Sequence, residues 1–382
     1  MRRRQYLKLA GGGVILAAGL GCGVFYSEKE PSRAYQPWKS AGSAYTEPRL
    51  RALSYAILAP NPHNRQPWMI DLSTPREVTI YVDSERLLPA TDPFNRQITI
   101  GLGCFLELMR MAAAAEGHRV ELDLFPKGAN AHHLTSAPIA TATFVQDPQT
   151  EPDPLFDYAL SRRSNKNPFD TLRTIPGNTI NRLASSGRYG TMLKATNDGK
   201  QIADLRTLTR QALLLEIETP RTYRESVDLF RIGRQEIEAN PDGISFSGLK
   251  YEILKSLGLF NREVALDTRS RAYKQGLDAM LEPLGTAMGY VWLVTENNTR
   301  QDQIAAGRDW LRINLEATRQ GLGLHPNSQA LQEYPEMQIL NERAQAILAP
   351  EGGTVQMLGR LGYGPRAPKT PRWPLQHNLI KS

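Results

Sequence analysis

The sequence predicts an α+β protein made of two halves, each a mixed or antiparallel sheet flanked by helices. Three observations predict it. Short runs that alternate or stay apolar, at residues 69–72, 78–82, 120–124, 139–145, 290–295 and 355–361, read as strands. Long helical patterns lie between them, chiefly 98–116 and 306–320, closed by Gly117 and Gly321. When these two glycines are overlaid, Leu106 meets Trp310, Met109 meets Ile313, Met111 meets Leu315 and Ala113 meets Ala317. Most of these pairs share one apolar stripe, which predicts an internal duplication or a fused dimer.

Residues 1–30 read as an address rather than as part of the fold. Arg3-Arg4-Gln5-Tyr6-Leu7-Lys8 matches the twin-arginine export pattern of two arginines, any residue, an aromatic, Leu and Lys, and a glycine-rich apolar stretch follows. A simple membrane anchor is the competing reading, and Cys22 is a weaker candidate for lipid attachment. The expected location is the periplasm or cell envelope, with the membrane touched only through this segment. Residues 31–48, rich in Pro, Ser and Tyr, read as a linker. The first half spans 49–150. It opens with a helix over 49–58, which ends before Pro60 because the residue ahead of a proline resists the helical region. The Pro/Asp/Glu-rich joint 147–154 leads to the second half, 151–382, whose first helix carries Leu160 to Lys166. Helical patterns fill most of 201–280, with a helical insertion around 221–262 expected to act as a lid.

Composition excludes some classes of function. The net charge is +7, but Arg2, Arg3, Arg4 and Lys8 supply four of those charges and the remainder carries +3. No aromatic-studded basic stripe follows, so nucleic-acid binding is not expected. Two cysteines, Cys22 and Cys104, give neither a disulfide framework nor a metal-ligand cluster. There is no GxSxG elbow and no HExxH. Gly101-Leu102-Gly103 lacks the third glycine of a dinucleotide fingerprint, and His132-His133 has no third ligand nearby. No side-chain nucleophile or acid–base pair stands out, so the chemistry is expected to be that of a bound cofactor.

Three segments carry the groups such a cofactor needs. The stretch from Ile57 to Ile70, ILAPNPHNRQPWMI, is a rigid polar turn between apolar flanks. Arg162, Arg163, Ser164 and Lys166 gather two guanidiniums, a hydroxyl and an ammonium, donors suited to a phosphate. The tail around Lys369 and Arg372 adds two cations held by three prolines.

Together these segments resemble the FMN-dependent nitroreductase family. Its signature of Ala-Pro-Ser, two residues, Asn, one residue and Gln-Pro-Trp is similar to Ala59-Pro60-Asn61-Pro62-His63-Asn64-Arg65-Gln66-Pro67-Trp68. Its Arg-basic-Ser-x-Lys/Arg motif is similar to Arg162–Lys166, followed here by Phe169-Asp170. Residues 321–326 resemble the loop that leads backbone amides to the flavin, and the Lys369/Arg372 tail resembles a phosphate grip. The resemblance implies a nitroreductase-like fold and an FMN cofactor. Arg162, Arg163, Ser164 and Arg372 would hold the phosphate, with Lys369 assisting. Lys166 would lie at the pyrimidine edge, and Asn327, Ser328 and Gln329 near the ring. Asn61, Pro62, His63, Asn64 and Gln66 would form the opposite wall, with the amides of Asn64 and Gln66 against the ligand. Asn61-Pro62 departs from the usual serine, and Pro62 offers no amide. Family members are usually homodimers whose two flavins each use the turn of one subunit and the Arg motif of the other. Here each motif occurs once, in opposite halves. This resembles the fused, lidded branch of the family typified by a mycobacterial dormancy protein, as does the Thr91–Arg96 segment. The implied protein is a monomeric pseudo-dimer with one flavin and a small-molecule electron donor and acceptor. A flavin-sequestering protein without turnover is the alternative.

Overall fold

The computed structural model describes residues 31–380. The first half contains α1 (Gln36–Ser40), α2 (Pro48–Ala56), β1 (Trp68–Asp71), β2 (Glu77–Val82), α3 (Arg96–Ala114), β3 (His118–Leu124) and β4 (Ala140–Gln146). The second half begins with α4 (Gly177–Ala184), β5 (Met192–Thr196) and α5 (Gly199–Glu218). An insertion follows, with α6 (Pro220–Asp228), β6 (Phe230–Ile232), α7 (Gly233–Ala239), β7 (Ile244–Phe246), α8 (Leu249–Ser256), α9 (Arg262–Leu266) and α10 (Arg271–Leu281). The half then closes with β8 (Gly289–Thr295), α11 (Arg300–Arg319), β9 (Gly323–Pro326), α12 (Gln338–Leu348) and β10 (Thr354–Gly362).

Each half forms one antiparallel sheet of four strands, ordered β1-β2-β4-β3 and β5-β8-β10-β9. The two orders are the same topology, with the long helix lying between the second and third strand of each half. Strand patterns follow from what covers them. Val78, Ile80 and Val82 of β2 point into the core while their neighbours are only half-buried. All of β8 is buried, because Val291 and Leu293 join one core and Tyr290, Trp292 and Val294 another, formed with α5 and α12. The first of these cores runs through both halves without a break. Among the described residues α3 alone is long and apolar enough to cross a membrane, and here it is a buried core helix.

The long helices α3 and α11 cross at Gly103 and Gly307. A Cβ on Gly307 would lie 2.0 Å from the Ile100 carbonyl oxygen, and one on Gly103 would lie 2.3 Å from that of Ile304. Overlaying Gly117 on Gly321 carries Gly103 onto Gly307 and Ile100 onto Ile304, so the contact is reciprocal, as at a two-fold interface. Arg96 and Arg300 correspond in the same way. Arg96 enters the second half, donating to the carbonyls of Leu331 and Gln356 and pairing with Glu333. Arg300 enters the first, donating to the carbonyls of Phe94 and Asn130 and to Thr99 Oγ1.

Several expectations need correction. Residues 31–48 are not a free linker. Trp38 is buried and its indole N–H donates to the Thr370 carbonyl at 2.8 Å, while the Arg372 amide donates to Ala34. One large aromatic anchors a stretch too sparse in apolar residues to show periodicity. Residues 160–166 are not helical. A 3-10 turn, Pro154–Tyr158, precedes them, and Ser164 bridges in parallel to Leu324 with the Asn165 amide on the same carbonyl. Pairing with β9 replaces the helix. The insertion is longer than 221–262 and is not purely helical, since β6 and β7 pair in parallel over a small core of Val227, Phe230, Ile232 and Ala265. Edge strand β5 gives no clear sequence signal, because Met192–Thr196 is short, mixes apolar and polar residues, and buries only Thr196. The twin-arginine motif and Cys22 fall outside the described residues.

Candidate functional site

The site grows from the C-terminal end of α2, where helix carbonyls lose their partners and a cation is favoured. Arg372 donates through Nε to Ile57 O and through Nη2 to Leu58 O and Ala59 O, at 3.0 to 3.2 Å. It reaches them because the C-terminal tail crosses onto the first half, where the Ile380 amide donates to Ile70 at the edge of β1. Arg162 also donates to Leu58 O, at 3.2 Å, while its Nη1 is buried with no partner. Arg163, Arg372 and Lys369 surround the Trp38 ring at 4.7, 5.6 and 6.0 Å. No carboxylate among the described residues forms an ion pair with Arg162, Arg163, Lys369 or Arg372. Burial, followed by the charge of Arg163, pushes Arg162 down to about 10, and burial with Arg366 does the same to Arg163. Burial and both neighbours hold Arg372 well below its usual range. Buried cations gathered without counter-ions make a site prepared for an anion.

The turn beside it is strained. His63, Asn64 and Gln66 all adopt left-handed φ values, near +50°. Asn61 Oδ1 holds it from within by accepting the Gln66 amide at 2.7 Å. Asn64 is fixed by Arg372 and by the Pro371 carbonyl, and Gln66 by Pro241 O and the Trp373 amide. Asn61 and Pro62 rest on Gly101 of α3, where a side chain would crowd them. The expected role of the Asn64 and Gln66 amides is thereby corrected. Both donate inside the turn, to Asn61 O and Asn61 Oδ1, because the left-handed geometry folds them inward. Gln66 is wholly buried and positions the turn rather than facing a ligand.

Lys166 lies close enough to the turn for its charge to act on His63. Its side chain keeps accessible surface while protein lies on most sides of it, so burial lowers its pKa even though it reaches solvent. His63 from the turn and His325 from β9 both feel its charge. Burial first, then Lys166 and Arg65, pushes His63 down to about 4. Burial, Arg360 and Lys166 take His325 well below its usual value, and Arg360 Nε donates to His325 Nδ1 at 2.9 Å. Both imidazoles are neutral at pH 7. Ser164 is held on β9 by the Leu324 bridge, which sets Lys166 near this strand. Beyond β9, Asn327 and Ser328 are buried, and Asn327 Oδ1 and Gln329 Oε1 have no partner within the protein. Sequence reasoning missed Trp38, Arg360, Glu216 and Glu225. For Glu216 a signal existed, since it continues the buried stripe of Leu205, Leu208 and Ala212 on α5.

The insertion is fastened to the turn and to the segment after β2. Glu225 of α6 accepts the amides of Ala90 and Thr91 at 2.7 and 3.0 Å, and the Thr91 hydroxyl at 2.6 Å. Asp242 pairs with Arg231 and lies within ion-pair distance of Arg65 and Arg86, and His63 Nε2 meets Ser226 Oγ at 3.0 Å. Glu225→Ala is expected to ease opening of residues 219–246 by about 2 kcal/mol, the loss of charge-assisted hydrogen bonds. Hydrogen exchange is expected to rise there and stay unchanged in β8. Equal exchange in the two proteins would refute the latch.

The place that the overlay of the long helices relates to the cation site is filled differently. Arg162 lies near enough to Cys104 for its charge to act on a thiol that burial pushes up to about 12, and the backbone of Leu311 also bonds that thiol. The overlay of the long helices carries Cys104 onto Arg308 and matches Leu311 with Glu107. At that second place Glu107 takes Arg110, Arg308, Arg312 and the Tyr189 hydroxyl, while Asp153 takes Arg110 and Arg312. One location holds cations without anions, and the other is neutralised from within.

No family model matches the chain. It is 35% identical over 119 residues to "Putative NAD(P)H nitroreductase acg" of Mycobacterium tuberculosis, 31% of this chain, and spans only 34% of that relative's length. It is 25% identical over 333 residues to "Putative NAD(P)H nitroreductase Rv3131" of the same species, covering 84% of this chain and 87% of the relative. Among solved structures it is similar to the FMN-dependent nitroreductase NfnB from Mycobacterium smegmatis at 14% identity, over 58% of this chain and 95% of that one. The TM-score there is 0.36, so the fold description rests on the topology above. The relatives support a relationship to the nitroreductase family.

Proposed function

We propose that the chain is an FMN-binding oxidoreductase of the nitroreductase type, a fused pseudo-dimer with one flavin at the seam of its halves. The observation that carries this is a set of cations without ion-pair partners, buried Arg162 and Arg372 with half-buried Arg163, set against a strained turn with Lys166 beside it. These residues fit FMN. The free Nη1 of Arg162 and the guanidinium of Arg163 would bind the phosphate, Lys369 would add charge at the rim, and Arg372 would fix the α2 terminus to the turn. Lys166 would stabilise negative charge on the pyrimidine side. Asn327, Ser328 and Gln329 would face the ring from β9, and Pro62 and His63 from the turn. When bound, the flavin supplies two-electron transfer between a small-molecule donor and acceptor. The matching strand order and reciprocal helix crossing support a duplication, and the neutralised counterpart at Glu107 supports a single site. The twin-arginine motif supports export as a folded holoprotein to the periplasm or envelope. A second reading, a flavin store without turnover, draws support from the latched insertion. Reduction of the bound flavin by NAD(P)H with electron delivery to a quinone or nitroaromatic separates the two.

Protein beginning at residue 31 and purified from the cytosol is expected to show a flavin absorbance band and about one FMN per chain. No band after reconstitution, or two flavins per chain, overturns the reading. Arg162→Gln is expected to weaken FMN binding about tenfold to a hundredfold, the loss of a charge-assisted contact. Its apoprotein is expected to be at least as stable as the parent, because a buried unpaired charge has gone. Unchanged affinity refutes the phosphate assignment.

A further inference from the structure

The insertion covers a carboxyl group that the proposed chemistry leaves unused. Glu216 lies in the last turn of α5 and is 7% exposed, and its Oε2 has no partner within the protein. Four groups face it from three other elements. Lys166 comes from the extended segment paired with β9, Glu225 from α6, and Gln332 and Tyr334 from the loop after β9. Tyr334 OH and Gln332 Oε1 are unpartnered as well. The Thr222 hydroxyl donates to the Glu216 carbonyl at 2.6 Å, tying α6 across this end of the helix. Burial raises the Glu216 carboxyl most, Gln332 and Lys166 pull it back, Glu225 raises it, and the result is about 7. Near neutral pH the group is therefore divided between its two forms, and a small change in nearby charge decides which prevails.

We propose that Glu216 is the proton reservoir of the site, taking a proton from solvent when negative charge arises beside Lys166 and releasing it when that charge leaves. The inference rests on the FMN reading, which puts electron arrival next to Lys166. Lys166 stabilises the Glu216 carboxylate. A new anion on the other side of Lys166 shares that cation and repels the carboxylate, and both effects raise the affinity of Glu216 for a proton. The balance is simple. An external reductant of the dihydronicotinamide class would lose a hydride, its C–H bond breaking as the cofactor takes up that hydrogen with its electron pair, and one solvent proton would form an O–H bond on Glu216. When the hydride passes on to an acceptor, that O–H bond would break and its proton would neutralise the acceptor's new negative charge. Glu216 thus links proton uptake to reduction, whichever acceptor is used.

The test uses flavin-loaded protein and Glu216→Gln, with the midpoint potential of the bound flavin measured against pH by equilibration with redox dyes. Near neutral pH the parent is expected to take up as much as about one more proton per electron pair than the variant, read as a steeper slope. Equal slopes in two flavin-loaded proteins overturn this inference alone. Failure to bind flavin overturns the FMN reading and this inference together. Infrared difference spectra provide a readout independent of the flavin. The parent is expected to show a protonated carboxyl band that fades through neutral pH and is missing from Glu216→Gln. Lys166→Met is expected to carry that band to higher pH, because the cation favouring the carboxylate is gone. A parent without the band, or a band unmoved in Lys166→Met, overturns the proposal even if Glu216→Gln does not fold.

Discussion

Glu107→Gln is expected to lower the stability of the folded chain by about 3–5 kcal/mol, the usual effect of removing one partner from a buried ionic network. Glu107 is fully buried on α3 and accepts from Arg110 and Arg308, at 2.7 and 3.1 Å, and from the Tyr189 hydroxyl. With the carboxylate gone, the arginines keep only Asp153 and two positive charges are left without a full complement. Burial alone would raise the Glu107 carboxyl, but the hydrogen bond and charge of Arg110, then Arg308 and Tyr189, outweigh it and hold it below its ordinary value of 4.5. The sign of the pH effect follows. A carboxyl lowered by folding contributes stability that is present above 4.5 and is lost as pH falls through the folded value. The gap between parent and variant is therefore expected to be full at neutral pH and to narrow in acid. Urea unfolding at several pH values measures it, and a gap that does not narrow would show that the network acts by packing rather than by charge.

Gly307→Ala is expected to cost about 3 kcal/mol or more, from overpacking where relaxation is blocked. The new Cβ would lie 2.0 Å from the Ile100 carbonyl oxygen and 2.9 Å from the Gly103 Cα. These are backbone atoms, so no rotamer change relieves the clash and α3 and α11 must move apart. Separation there loosens the core that runs through both halves. Gly103→Ala meets the same obstacle from the other side, 2.3 Å from the Ile304 carbonyl oxygen. The double variant is expected to lose less than the sum of the two, since one separation accommodates both methyl groups. Gly276→Ala in α10 serves as the control. Nothing lies within 4 Å of its Cβ position, and a gain of a few tenths of a kcal/mol is expected from helix propensity. Thermal or urea unfolding decides it, and a near-neutral Gly307→Ala would mean the helices do not cross closely at this point.

Most of the architecture was legible in the sequence. The periodicity of 98–116 and 306–320 and their closing glycines marked the two long helices, while their close contact at Gly103 and Gly307 came from the structure. Alternating and apolar runs marked most of the strands. Less legible were segments whose form depends on distant partners. Arg162 to Lys166 reads as helix by itself and becomes extended because Ser164 and Asn165 pair with Leu324. Residues 31–48 read as a linker and instead pack through Trp38 against the tail at Thr370.

The sequence by itself determined the long helices, most of the strands, and the residue types able to hold a phosphorylated aromatic ligand, because each of these is written in neighbours a few positions apart. Only the tertiary structure decided which arginines lack counter-ions, which amides of the turn are already used, that Glu107 fills the second place, and that Glu216 stands under the insertion beside Lys166. Those properties depend on burial and on charges brought together across hundreds of residues, and the free energy of a buried charge is fixed by what surrounds it in space, not by its neighbours in the chain.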